Sequence, residues 1–142
     1  TGPTSGERTF VKLLRRLLKV QAASWLVVSV ALGLFPRRVL EGLLGQPVLA
    51  DYVWVRVVAV MGVVLALLMV LVAQKIDELW WWSWAFALLA VGTASAFAVN
   101  AAFGVPAGAD AWPFWLLAGV NGAFGAGLLV GMGMGGQEKP FV

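Results

Sequence analysis

The sequence predicts an all-α integral membrane protein: a four-helix bundle with a short N-terminal amphipathic helix. Of its 142 residues, 61% are hydrophobic and 12% are charged, and the mean hydropathy is +0.90. A soluble domain usually has roughly 25% charged residues. Four apolar stretches approach or exceed the roughly 20 residues that a helix needs to cross the hydrocarbon core. We therefore expect one membrane domain over residues 1–142.

The basic segment FVKLLRRLLKV has the spacing of an amphipathic helix. Its leucines and Phe10 share one face. The cations on the opposite face are Lys12, Arg15, Arg16 and Lys19. Each cation near anionic headgroups contributes about 1 kcal/mol to membrane binding. This segment is thus predicted either to lie on the membrane surface or to act as a topology signal.

The four spans are predicted at about residues 17–35, 52–73, 79–103 and 112–134. The first needs Leu17 to Lys19 to reach spanning length, with the Lys19 side chain extending to the interface. It ends before Pro36, because proline disfavours helical geometry in the preceding residue. The connection RRVLEGLLGQP predicts a short interfacial helix, and residues 74–78 and 104–111 are predicted turns.

Charge asymmetry predicts the orientation of the spans. If the N-terminus is cytoplasmic, the inner side carries Arg8, Lys12, Arg15, Arg16, Lys19, Lys75 and Lys139, and the outer side carries Arg37, Arg38 and Arg56. This excess of inner cations predicts that both termini are cytoplasmic. The tryptophans of residues 80–84 are predicted to mark the inner interface, and Trp54, Trp112 and Trp115 the outer one.

A ridge of small residues follows the fourth span at a spacing of four residues. Its members are Gly119, Ala123, Gly127, Gly131 and Gly135. The third span has a matching ridge of alanines at residues 90, 94, 98 and 102. Small residues let helix backbones approach closely in lipid. We expect the alanine ridge to cover Gly119 to Gly127, and Gly131 and Gly135 to face the tryptophan segment or another subunit. A helix of another subunit, or a flat lipid, carotenoid or quinone-like ligand, could instead cover the ridge.

Arg56 is the one cation within the second span, and it forms the centre of a candidate site. Its Cα lies about 6 Å below the start of the helix, at 1.5 Å per residue. Polar side chains predicted on the same side are Glu41, Asp51, Asp110, Asn100 and Asn121. This cluster could be structural, tying the first and third loops together. It could also hold the headgroup of a lipid-like ligand under Trp112 and Trp115.

The residue inventory argues against catalysis. The sequence contains no cysteine and no histidine, so thiolate catalysis and the commonest haem and zinc ligands are excluded. Its membrane-embedded serines and threonines have no titratable partner at their depth. We therefore predict no enzyme activity, no metal site and no cofactor of its own. We also predict no nucleic-acid binding, because the cations lie against the bilayer.

Two segments carry a family resemblance. The loop FPRRVLEGLLG is followed by a second helix that reads VRVVAVMG, with Arg56 and Gly62. Together with the four-span layout, this resembles the DoxX-like group of small bacterial four-helix membrane proteins. The resemblance implies a four-helix bundle in a bacterial cytoplasmic membrane, in a group sometimes associated with redox membrane complexes. It carries over only Arg56.

These features predict that the protein functions by binding other molecules and not by catalysing a reaction. The favoured hypothesis is an accessory subunit that docks on helices of a larger membrane complex, for example one of respiratory or photosynthetic electron transfer. The alternative is a binder of a lipid, quinone or carotenoid-like pigment near Arg56. In both cases the lipid bilayer is the first partner of the chain.

Overall fold

The structure is a computed structural model that describes residues 5–138, and side chains for residues 9–137. Four long helices form it: α1 (Ser5–Leu34), α2 (Val53–Gln74), α3 (Ser83–Val99) and α4 (Trp112–Glu138). Each belongs to a segment long and apolar enough to span a membrane, and the described part contains no strand. The predicted all-α four-helix membrane bundle is confirmed, as a multi-pass membrane protein. Lys139 and the side chain of Arg8, both counted for orientation, lie outside the described residues.

Short helical segments connect the long helices. Arg38–Leu43 is a π-helical turn between α1 and α2, where an interfacial helix was expected. A short helix, Ile76–Leu79, and a 3-10 turn, Trp80–Trp82, lead into α3, and the π-helical turn Asn100–Gly104 extends it. With four spans, both ends of the described chain lie at one end of the bundle, the terminal end. The π-helical turns lie at the other, the loop end.

The N-terminal segment does not form a separate amphipathic helix, which corrects the sequence prediction. It is the first part of α1, and its side chains Phe10, Leu14 and Leu18 are fully buried in the bundle core. The reason is length. A helix of 30 residues is about 45 Å long, so α1 extends beyond a hydrocarbon core of about 30 Å. There it packs beside α4, which has 27 residues and is similarly long.

The bundle consists of two helical hairpins joined through α1 and α4. α1 packs along α2 and α3 packs along α4, whereas α2 and α3 make almost no contact with each other. The core is concentrated toward the terminal end, where its largest fully buried apolar side chains are Phe10, Leu14, Leu18, Met69, Ile76 and Leu128. The two hairpins are therefore held together mainly at that end.

The glycine ridge of α4 does not lie on the alanine ridge of α3, contrary to the expectation from sequence. A Cβ at Gly131 would stand 2.7 Å from Leu14 Cδ2, and one at Gly127 would stand 3.0 Å from Leu17 Cδ1. Both contacts are with α1. A Cβ at Gly119 would meet nothing within 4 Å, and Ala123 is exposed.

Helix geometry explains this outcome. Four residues rotate about 400° around the axis, so each step along the ridge turns by about 40° and four steps turn by about 160°. The ridge begins on an exposed face and ends against α1. Other small residues, Gly122 and Gly125, face α3, where their nearest neighbours include Ala94 and Val91.

Gly135 lies at the end of the ridge, between two aromatic side chains. A Cβ there would stand 2.9 Å from Phe10 and 3.4 Å from Trp80. Phe10 and Trp80 meet edge to face, with ring centroids 6.4 Å apart. Gly135 thus contacts the tryptophan segment as expected, whereas Gly131 does not face it. The other three tryptophans of residues 80–84 are exposed at the terminal end, and Trp54, Trp112 and Trp115 are exposed toward the loop end.

Candidate functional site

A cleft at the loop end gathers three arginine side chains. Its volume is about 300 Å³, and it lies between the end of α1 and the start of α2. Its lining consists of Leu34, Phe35, Pro36, Arg37, Arg38, Tyr52 and Arg56. We call it the arginine cleft. It is open to the surroundings, and no acidic side chain of the described chain belongs to its lining.

Local sequence places these arginines. α1 ends at Leu34, just before the Phe35–Pro36 step, so Arg37 and Arg38 follow directly on its end. Tyr52 caps α2 and Arg56 lies four residues later, so the two share one helix face.

Close packing of α1 on α2 brings the two halves of the cleft together. A Cβ at Gly33 would stand 3.4 Å from the Ala59 side chain, which is ordinary contact. At Gly62 a Cβ would collide with the buried Ser29 hydroxyl. Gly62 therefore lets α2 lie directly against α1, which sets Arg56 beside the end of that helix.

The three guanidinium groups have different environments. Arg37 Nε donates to Glu41 Oε1 at 3.4 Å, and the Tyr52 hydroxyl donates to the same carboxylate oxygen. Arg38 stands over the Phe35 ring, with its Cζ 5.9 Å from the ring centroid, in a cation–π contact. The Arg56 guanidinium makes no hydrogen bond or ion pair with any residue that the structure describes, and its side chain is exposed.

An apolar groove of about 330 Å³ adjoins the cleft on the exposed side of α2. Its lining is Val53, Arg56, Val57, Val60 and Met61. Arg56 is the residue that the groove and the arginine cleft share. The cleft and the apolar groove along α2 therefore meet at this residue.

The polar cluster predicted around Arg56 is not assembled. Asp51 Oδ1 accepts the Val53 N–H at 2.9 Å, and Asn121 Nδ2 donates to the Leu117 carbonyl at 2.8 Å. Asn100 lies beside Gly104 within its own π-helical turn. Asp51 and Asn121 thus bond to nearby backbone groups, and no polar side chain of the described residues bonds Arg56. Trp112 and Trp115 are exposed and do not line the cleft.

The first loop, between α1 and α2, and the third loop, between α3 and α4, are tied together, although not through Arg56. Gln46 Nε2 donates to the Asp110 carbonyl at 3.0 Å, and the Asp110 N–H donates to the Gly45 carbonyl at 3.4 Å. Gly45 has φ +60°, and a Cβ there would collide with the Asp110 carboxylate. Asp110 thus acts in the structural role expected for the cluster, with different partners.

Sequence reasoning missed Arg37, Arg38 and Tyr52 as site residues. The two arginines entered only the charge count, although a dibasic pair directly after Pro36 was a visible signal. Spacing along α2 could have linked Tyr52 to Arg56, since residues four apart share a face. Only the packing of α1 on α2 shows that the two arginines after α1 lie beside Tyr52 and Arg56 of α2.

The cleft supplies charge, a hydroxyl group, an aromatic ring and hydrocarbon surface. These groups can bind an anion beside an apolar surface. Within residues 5–138 no three His, Cys, Asp or Glu side chains gather as metal ligands.

Comparison with known proteins does not identify the chain: it matches no family model, no curated protein and no solved structure. The resemblance to the DoxX-like group stays a prediction.

Proposed function

We propose that the protein is a non-catalytic membrane bundle that binds an amphipathic anion, a lipid or lipid-like molecule. Its headgroup occupies the arginine cleft and its hydrocarbon chain follows the apolar groove. One observation carries this proposal: Arg56 lines both spaces, so a single molecule with a charged head and an apolar tail fits across it.

The selectivity of such a site comes from the cleft. A hydrocarbon chain loses little by leaving the bilayer for the groove, because both surroundings are apolar. Charge-assisted hydrogen bonds from guanidinium groups to an anion are roughly twice as strong as neutral ones. The groove therefore aligns the chain, and the arginines distinguish an anionic head from a neutral or zwitterionic one.

The membrane face of the site follows from the predicted orientation. With both termini cytoplasmic, the arginine cleft lies at the outer leaflet of a bacterial cytoplasmic membrane. Arg56, three residues after the start of α2, is then about 4.5 Å below that start, a depth from which its side chain reaches the headgroups. The ligand is accordingly one that resides in, or passes through, the outer leaflet.

Lipid titration with native mass spectrometry tests this proposal. The purified protein is titrated separately with phosphatidic acid, phosphatidylglycerol and phosphatidylcholine. We expect at least one anionic lipid to bind more tightly than phosphatidylcholine, and Arg56→Gln to weaken that binding about tenfold. Arg16→Gln, which removes an exposed charge at the terminal end, is the matched control and should change nothing at this site. Binding that ignores both lipid charge and Arg56 would remove the proposal.

A second function, docking in a larger membrane complex, is favoured by an exposed seam on α4. The seam residues alternate at spacings of four and three, and all are exposed: Gly119, Ala123, Ala126, Val130, Gly133 and Gln137. A seven-residue repeat keeps one face toward a straight neighbour crossing at about 20°. Small residues on that face permit close helix approach in lipid. We propose that a helix of another membrane subunit packs there.

Copurification from native membranes tests the docking proposal. The double variant Gly119→Leu/Gly133→Leu adds two bulky side chains to the seam at positions where the bundle itself has open space. We expect it to abolish comigration with a larger complex in mild detergent. Gly92→Leu, which adds bulk at an open position of α3, is the control. If the wild-type protein migrates alone, or if the double variant still comigrates, docking through this seam is excluded.

A further inference from the structure

We propose that the arginine cleft selects a headgroup that is a phosphate monoester, with two negative charges, over a phosphodiester or a carboxylate. This inference rests on the proposed binding function and adds the chemical class of the ligand. Two observations support it: the positive charge of the cleft, and the N–H donors that its guanidinium groups leave available to a ligand.

Two of the three guanidinium groups in the cleft have no ion-pair partner among the described residues. Within that part of the chain, Glu41 is the carboxylate that bonds a lining arginine, Arg37. The other loop-end carboxylates bond no lining arginine: Asp51 Oδ1 accepts the Val53 N–H, and the Asp110 carboxylate lies beside Gly45. The end of α1 and the start of α2 both border the cleft, and their opposite dipoles offset each other. A dianion would therefore balance the site, whereas a monoanion would leave one charge uncompensated.

The donors are also arranged for more than one acceptor group. Glu41 binds Arg37 through Nε, which leaves both terminal nitrogens of that guanidinium group for a ligand. Arg38 lies over the Phe35 ring, and a stacked guanidinium group keeps its donor edge available. Arg56 has all its donors available to a ligand, with no partner among the described residues.

Acceptor geometry separates the anion classes. One arginine fork fills the two oxygens of a carboxylate. A phosphodiester offers two unesterified oxygens and one charge, so it also leaves donors unused. A phosphate monoester has three strong acceptor oxygens directed away from its ester bond, and it carries nearly two charges above its second pKa of about 6. It is the class that engages all three guanidinium groups.

The experiment compares a monoester lipid with a diester lipid in the intact protein. Phosphatidic acid and phosphatidylglycerol with identical acyl chains are titrated at about pH 8, above the second phosphate pKa. We expect about tenfold tighter binding of phosphatidic acid. Arg38→Gln should reduce this ratio to near one while phosphatidylglycerol still binds. Arg38→Lys keeps the charge, loses the fork, and should give an intermediate ratio.

Inorganic phosphate distinguishes the source of the headgroup. If millimolar phosphate does not displace phosphatidic acid, the ligand is a lipid-borne monoester, as the adjoining groove implies. If phosphate alone displaces it, the site accepts free phosphate of the same chemistry. Equal affinity for the two lipids overturns this inference and leaves the proposed function standing. The absence of any Arg56-dependent anionic lipid binding would overturn the proposed function itself.

Discussion

Gly45 is the residue in the first loop where both backbone and space require glycine. Its φ of +60° lies in the left-handed region, and Asp110 Cγ would stand 2.9 Å from an added Cβ. A side chain there would strain the backbone and push apart the two loops that meet at this point. The cost of a left-handed non-glycine residue is about 1–2 kcal/mol.

We therefore expect Gly45→Ala to lower the free energy of unfolding by about 1–3 kcal/mol, from strain and steric conflict together. Thermal unfolding in detergent micelles measures the change. Gly42→Ala in the neighbouring π-helical turn is the control, because an added Cβ there meets nothing within 4 Å. Equal stability of the two variants would contradict this account of the loop contact.

Gly131 packs against α1 inside the bundle and does not face an external partner. A Cβ there would stand 2.7 Å from Leu14 Cδ2 and 3.6 Å from Leu13 Cδ2, so the space beside it is already filled by α1. A leucine would overpack this contact and force the two helices apart. Overpacking of a well-packed core typically costs about 1–3 kcal/mol.

The prediction at this position is that Gly131→Leu destabilises the isolated bundle by about that amount. Gly133→Leu, two residues further along the same helix, adds an identical side chain where nothing lies within 4 Å. It should leave the isolated bundle unchanged. Chemical unfolding in micelles compares the two variants. A stable Gly131→Leu protein would show that α1 does not contact α4 at this level.

α1 is the helix that connects the two hairpins, because it packs against both α2 and α4. Arg15 adds a polar link at the terminal end. Its Nε donates to the Ala73 carbonyl in the last turn of α2 at 3.2 Å, and its Nη2 lies 3.4 Å from Asp77 Oδ2. A cation beside the last carbonyls of a helix is favourable for the helix dipole. Arg15 therefore holds the end of α2, unlike the exposed Lys12, Arg16 and Lys19.

Arg15→Gln should lower the free energy of unfolding by about 0.5–1.5 kcal/mol, a modest effect because solvent reaches both partners of the ion pair. Arg16→Gln is the matched control on the same helix, with no expected change. Unfolding of both variants at low and high salt gives a second readout, because screening should reduce the difference. No difference at low salt would show that the link contributes nothing.

At the scale of the whole molecule, the hairpins meet mainly at the terminal end, and the loops meet at the opposite end through Gln46 and Asp110. The arginine cleft is built at the opposite end on a single hairpin, α1 with α2. Loss of the loop contact should therefore leave the cleft in place.

Cysteine labelling tests the orientation that charge predicts. Cysteines introduced at the exposed loop positions Val48 and Ala107 should react with an impermeant thiol reagent in intact cells. One at exposed Glu78 should react only after the membrane is permeabilised. The chain contains no other cysteine, so the background is low. The opposite pattern would reverse the orientation and place the arginine cleft at the cytoplasmic leaflet.

The amino-acid sequence alone determined the class of the protein, the number of spans and their approximate bounds. These properties depend on how apolar each segment is and how long it is. The thickness of the hydrocarbon core sets the number of apolar residues that a spanning helix needs. The loop-end position of Arg56 and the end of α1 before Pro36 were predicted for the same local reasons. Helix formation in lipid needs no information from distant parts of the chain, because each helix satisfies its own backbone hydrogen bonds.

Only the tertiary structure decided which helix faces meet. A spacing of four residues identifies small positions on α4, but the ridge turns by about 40° per step, so spacing cannot say which members meet α1. α4 is apolar all round, and nothing in its composition marks its packed side. The arginine cleft depends on the same information, because Arg37 and Arg56 come from different segments. They become neighbours only when Gly62 lets α2 pack directly on α1.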